Sequence, residues 1–148
     1  MKRTIIGLLT ACALLTQVRA AELTWLTDLP KAQAKAKTEN KMVMMDFTGS
    51  DWCGFCIKLD KEVFATKEFA EYAAKNLVLV QLDFPRRKEL AADLKKANAA
   101  LQSKYNVNGF PTLVVLDKDG KEAGREVGYG GGGPVPFIAK IKEFAAKK

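Results

Sequence analysis

The chain has 148 residues, with 24 Lys and Arg, 17 Asp and Glu, three Cys and no His. That length holds one ordinary domain, and 48% hydrophobic against 28% charged content is a globular rather than a disordered balance. Without histidine there is no Ser-His-Asp or Cys-His catalysis and no histidine-ligated metal or haem.

In chain order, Lys2 and Arg3 precede a mostly apolar run over residues 5–15, and Val18-Arg19-Ala20 puts small residues on the near side of a cut after Ala20. This is the layout of a secretory signal peptide over residues 1–20, leaving residues 21–148 as the mature domain. A second cut competes with it. Leu9-Thr10-Ala11-Cys12 resembles a bacterial lipobox, which would leave Cys12 lipidated and the protein anchored. The very short apolar run before Cys12 and the apolar Ala13-Leu14-Leu15 after it weigh against that cut. Cleavage after Ala20 removes Lys2, Arg3 and Arg19, and the net charge falls from +7 to +4. The remaining lysines are interspersed with acids and give no footprint for nucleic acid. No later apolar run approaches the length of a membrane span. The expectation is a soluble, monomeric protein in the periplasm or secreted, with the lipid anchor on Cys12 as the alternative.

Residues 25–27 read as a short strand or an ordered lead-in. Asp28 is a good N-cap, Pro30 sits in the first turn, and residues 31–39 are predicted helical. Residues 42–47 are apolar except for Asp46, as in a central strand buried on both faces. A loop over residues 48–51 leads into a long helix over residues 53–75, whose apolar spacing fits only in two pieces with a bend near Ala65-Thr66. Residues 77–82 read as a second buried strand. Leu90, Leu94, Ala97 and Leu101 recur at helical spacing and predict a helix over residues 88–104. Residues 112–116 and 121–127 read as a hairpin about Asp117-Lys118-Asp119-Gly120. A glycine-rich loop over residues 128–133 precedes a final helix over residues 134–144. Alternating strands and helices with a closing hairpin predict an α/β fold, a central mixed β-sheet flanked by helices on both faces.

Once Cys12 is set aside, only Cys53 and Cys56 remain, in Trp52-Cys53-Gly54-Phe55-Cys56. A bridge across so short a loop removes little entropy from the unfolded chain, so its use is chemical rather than structural. The motif follows a buried strand and opens a helix, where unpaired N–H groups and the helix dipole favour a thiolate on Cys53. The thiolate is the attacking species in disulfide exchange, and Cys56, one turn along, is placed to resolve a mixed disulfide. Zinc would need about four ligands, and haem attachment needs a His where Ile57 stands. A passive bridge and a two-thiolate copper(I) site remain as alternatives.

With Trp52-Cys53-x-x-Cys56, the order of elements and Gly109-Phe110-Pro111-Thr112, the chain resembles the thioredoxin superfamily from about Trp25 onward. Asp46-Phe47-Thr48-Gly49-Ser50-Asp51-Trp52 is most similar to exported bacterial thioredoxin-like proteins. The resemblance implies a thioredoxin fold and a cis Phe110–Pro111 bond facing the cysteines. It also implies that Asp46 acts as the base for Cys56, and that Gly128 lies near the site. Two departures bear on Asp46: the loop to Cys53 is one residue longer than in ordinary thioredoxin, and Gln81 stands where a lysine is common. An exposed strand-end aspartate is the other reading of Asp46. Trp52 and Phe55 read as an apolar platform for substrate, with half-buried packing an equal reading for Trp52. Asp51 would slightly oppose a thiolate. Residues 130–133 read as a mobile rim or as a linker to the last helix. Gly54-Phe55 resembles the Gly-aromatic pair of bacterial disulfide isomerases. The functional expectation is an exported thiol–disulfide reductase or isomerase-like enzyme, with the oxidase direction second, and without cofactor. It would act on protein or peptide disulfides and be kept reduced by a membrane electron donor. A non-catalytic binding module or copper(I)-handling protein is the rival.

Overall fold

A computed structural model describes residues 23–146. The expected signal segment, both cut sites and Cys12 lie outside the described residues. The first helix shows how local sequence sets element ends. Asp28 caps α1 (Leu29–Glu39) by accepting from the Lys31 N–H at 3.0 Å, and Asn40 ends it in the left-handed region at φ 53°.

Five strands form one sheet: β1 (Trp25–Leu26), β2 (Met42–Thr48), β3 (Leu77–Asp83), β4 (Thr112–Leu116) and β5 (Glu122–Val127), in spatial order β1-β3-β2-β4-β5. β3 is parallel to both β1 and β2, whereas β4 and β5 run antiparallel, so the sheet is mixed. Alternate residues of β2 feed two cores. Met44 packs with Leu79, Leu113, Val115, Phe64, Phe69 and Phe137 on one face. Val43, Met45 and Phe47 pack with Val80, Val114, Leu29 and Tyr105 on the other. β2, with a strand on each side and a core on each face, is the rigid element that carries the site.

The expected long helix is three segments: α2 (Gly54–Leu59), a π-helical turn over Asp60–Phe64, and α3 (Lys67–Asn76). The break falls where the apolar spacing slipped. Thr66 caps the new helix by accepting from the Phe69 N–H.

The helix expected over residues 88–104 starts later, as α4 (Ala92–Lys104). Its lead-in is held otherwise, by the Asp51 carboxylate, which accepts from the N–H groups of Arg86, Arg87 and Lys88. Its inner face is the expected apolar stripe only in part: Leu101 packs against the second core and Leu94 is half-buried. Ala97 is exposed, and the buried residue is Asn98, whose amide donates to the Asp83 carbonyl at 3.0 Å. A final helix, α5 (Pro134–Ala146), packs Phe137, Ile141 and Phe144 into the first core.

Candidate active site

The loop after β2 folds back on Gly49, whose carbonyl accepts from the N–H groups of Trp52 and Cys53. That turn sets Cys53, in extended conformation, as the N-cap of α2. Cys53 Sγ accepts from the Cys56 N–H at 3.3 Å, and the two cysteines are joined in a disulfide with Cα atoms 5.2 Å apart. Both are nearly buried, at 6% and 4% exposure. A thiolate released on Cys53 by reduction stands at the start of α2, where free N–H groups and the dipole stabilise it.

Asp46 lies in mid-β2, between Gln81 of β3 and Leu113 of β4, and is 3% exposed. It is therefore not the exposed strand-end residue of the second sequence reading. Its Oδ1 is buried without a hydrogen-bond partner. Behind the disulfide is a cavity of about 170 Å³ lined by Asp46, Thr48, Ser50, Cys56, Ile57, Asp60 and Gln81. The longer loop thus still brings Asp46 and Cys56 to one space, polar and large enough for water between them. Burial pushes the Asp46 carboxyl up to about 8, with further upward pushes from the charges of Asp60 and Asp83. Asp83 differs because it is paired. It accepts from the Ser50 N–H and Oγ–H and from Lys88 Nζ, which together hold it below the usual range against the desolvation that opposes them.

The Phe110–Pro111 bond is cis. The Pro111 carbonyl accepts from the Gly128 N–H at 2.8 Å, and Gly128 sits at φ 79°, a conformation that favours glycine. Phe110 stacks on Phe84 with centroids 5.0 Å apart and meets Trp52 edge-on at 6.0 Å. Trp52 is half-buried, and its indole N–H donates to the Phe84 carbonyl at 2.7 Å. Gly49 makes room for it, since a Cβ there would stand 2.7 Å from Trp52 Nε1. Gly54 and Phe55 are exposed, Phe55 at 62%.

Several parts of this region had no clear sequence signal. Asp51 serves as a backbone clasp, and the three N–H groups it accepts lower its pKa. Arg86 places its guanidinium carbon 3.6 Å from the Trp52 ring centroid. The glycine-rich segment is tied down: Tyr129 donates its hydroxyl to Glu62 at 3.0 Å and accepts from the Gly133 N–H at 3.1 Å. Gly131, Gly132 and Gly133 all have positive φ, and α5 starts directly after them. Only the residue types of these groups are visible in sequence, because, apart from Gly133 beside Tyr129, their partners lie tens of positions away.

Fold and site together define the class: a thiol–disulfide oxidoreductase on the thioredoxin fold. The chain belongs to the thioredoxin-like domain family, whose model matches residues 29–132. Disulfide bond reductase DsbH of Chlamydia pneumoniae is 34% identical over 125 residues, covering 84% of this chain and 74% of that protein. Thioredoxin-related protein DsbJ of the same organism is 29% identical over 108 residues, 73% of this chain and 31% of its own length. A solved structure of a DsbH oxidoreductase matches with a TM-score of 0.79 at 34% identity, covering 90% of this chain and 94% of that one. Among the described residues no helix is long and apolar enough to cross a membrane.

Proposed function

We propose that the protein is an exported protein-disulfide reductase, with isomerase-like exchange as the second use of the same chemistry. The observation that carries this reading is the Cys53–Cys56 disulfide at the start of α2 with a buried carboxyl sharing the cavity behind it. The similarity to a protein described as a disulfide bond reductase favours the reducing direction.

In the reduced enzyme, the Cys53 thiolate attacks one sulfur of a substrate disulfide. The other substrate sulfur leaves as a thiolate, and a mixed disulfide forms. Asp46 is ionised in a minority of molecules at pH 7, and in that form it takes the proton of the Cys56 thiol, directly or through water, as the Cys56 sulfur attacks Cys53 Sγ. The second substrate sulfur leaves as a thiolate. The substrate has gained two electrons, and the enzyme is left as the Cys53–Cys56 disulfide, the form described above. A carboxyl at about 8 holds a proton far more tightly than an ordinary carboxylate, which suits it to take a proton from a thiol and to return it. Trp52, Gly54, Phe55, Phe110, Pro111 and Gly128 form the surface that receives the peptide.

The oxidised enzyme needs a dithiol donor, and by family resemblance this is a membrane electron carrier. Export rests on the signal-peptide layout of residues 1–20, with cleavage after Ala20. Turbidimetric reduction of insulin tests the chemistry: wild type is active and Cys53→Ala is inactive, while Cys56→Ala accumulates mixed disulfides. Wild type that reduces no disulfide but retains copper(I) would put the rival reading in its place. Mass spectrometry of the mature N-terminus tests export and the cut: a chain beginning at Ala21 fits the signal peptide, a lipidated Cys12 fits the anchored alternative, and an uncut Met1 refutes export.

A further inference from the structure

Arg86 is presented to solvent in an unusually fixed way. Its backbone N–H donates to Asp51 Oδ1 at 3.0 Å, with Arg87 and Lys88 held by the same carboxylate. Its guanidinium lies on the Trp52 ring, and that ring is itself fixed by the indole N–H to Phe84 and by the edge contact with Phe110. Stacking occupies the face of a guanidinium and leaves the N–H donors at its edge free. Asp51 is engaged with backbone, and no carboxylate among the described residues is paired with the Arg86 side chain. Neighbouring Lys88 is neutralised by Asp83 at 2.8 Å, so it is not an equivalent donor. Arg86 also rims a cleft of about 210 Å³, with Lys95 and Glu89 on the same rim. A pre-positioned, uncompensated fork thus stands on the residue that precedes Cys53.

We propose that Arg86 is a specificity-determining residue: its guanidinium takes a carboxylate of the protein substrate, and the enzyme prefers disulfides flanked by Asp or Glu. The inference rests on the reductase reading above. An Arg held by stacking loses little side-chain freedom when it binds, and a carboxylate matches its two parallel N–H donors. The pair is solvent-exposed, so its effect is moderate and sensitive to salt.

The test uses two synthetic peptides with the same intramolecular disulfide, one flanked by Glu and one by Gln, reduced by the dithiol form of the enzyme. In wild type kcat/KM is expected to be about fivefold higher for the Glu peptide, which is about 1 kcal/mol at 1.4 kcal/mol per tenfold. Arg86→Gln brings that ratio to about one, and Arg86→Lys, with charge but no fork, falls between. Added salt lowers the wild-type ratio. Any general loss of activity cancels because the ratio is taken within each variant. A wild-type ratio near one, or a ratio that survives Arg86→Gln, overturns the proposal and leaves the reductase reading standing. Failure to reduce either peptide overturns both.

Discussion

Replacing Asp46 by Asn should stabilise the protein increasingly as pH rises. The carboxyl has a folded-state pKa of about 8, against 3.8 for an ordinary aspartate. Between these values the folded state keeps a proton that the unfolded chain gives up, so wild-type stability falls with rising pH. The slope is about 1.4 kcal/mol per pH unit. At pH 7 the interval is about three units, which sets the accumulated cost at about 4 kcal/mol. That is a large fraction of the stability of a domain this size. Asn keeps the shape and abolishes the titration. Its own unpaired amide adds a cost that does not vary with pH, so the slope is the diagnostic quantity. The assay is urea unfolding of the oxidised protein at several values from pH 5 to pH 8. The disulfide removes Cys53 and Cys56 from the titration, and the chain has no histidine to titrate in that window. The stability difference between Asp46→Asn and wild type should widen steadily across the series. Parallel curves would refute the argument, since they would mean that Asp46 is ionised in the folded state as easily as in the unfolded one.

The same substitution should slow displacement of the substrate by Cys56 while sparing attack by Cys53, seen as longer-lived mixed disulfide in quenched-flow gels. Asp60→Asn removes the charge that is the second cause of the raised Asp46 value, so the Asp46 titration followed by NMR should move to lower pH. Gly128→Ala puts a side chain at φ 79° and should cost about 1–2 kcal/mol in urea unfolding. It should also loosen the contact to Pro111, read as faster exchange of the Gly128 amide proton in the same position. Asp51→Ala frees the amides of Arg86, Arg87 and Lys88, whose hydrogen exchange should become faster while that of β2 stays slow.

The legible parts of the fold are those whose cause is local. Asp28 and Asn40 bound α1 through bonds reaching only a few residues, and apolar runs marked β2, β3 and β4 because both faces of each are covered. The CxxC motif likewise carries its own geometry, since Cys53 caps the helix that holds Cys56. The start of α4 was missed because its lead-in amides bond to Asp51, which lies 35 positions or more earlier in the chain. The glycine-rich segment admitted two readings because its anchor, the Tyr129–Glu62 bond, spans 67 positions.

The sequence by itself determined the α/β architecture, the cysteine pair at a helix start and the exclusion of histidine chemistry, because periodicity, caps and spacing act over one or two turns. Tertiary structure alone decided which polar groups far apart in the chain are paired. It left Asp46 with an unpartnered Oδ1 beside Cys56, tied Asp83 to Ser50 and Lys88, and set Arg86 on Trp52. Proton affinity and substrate-facing charge depend on desolvation and distance, and chain folding fixes both across separations that no local pattern records.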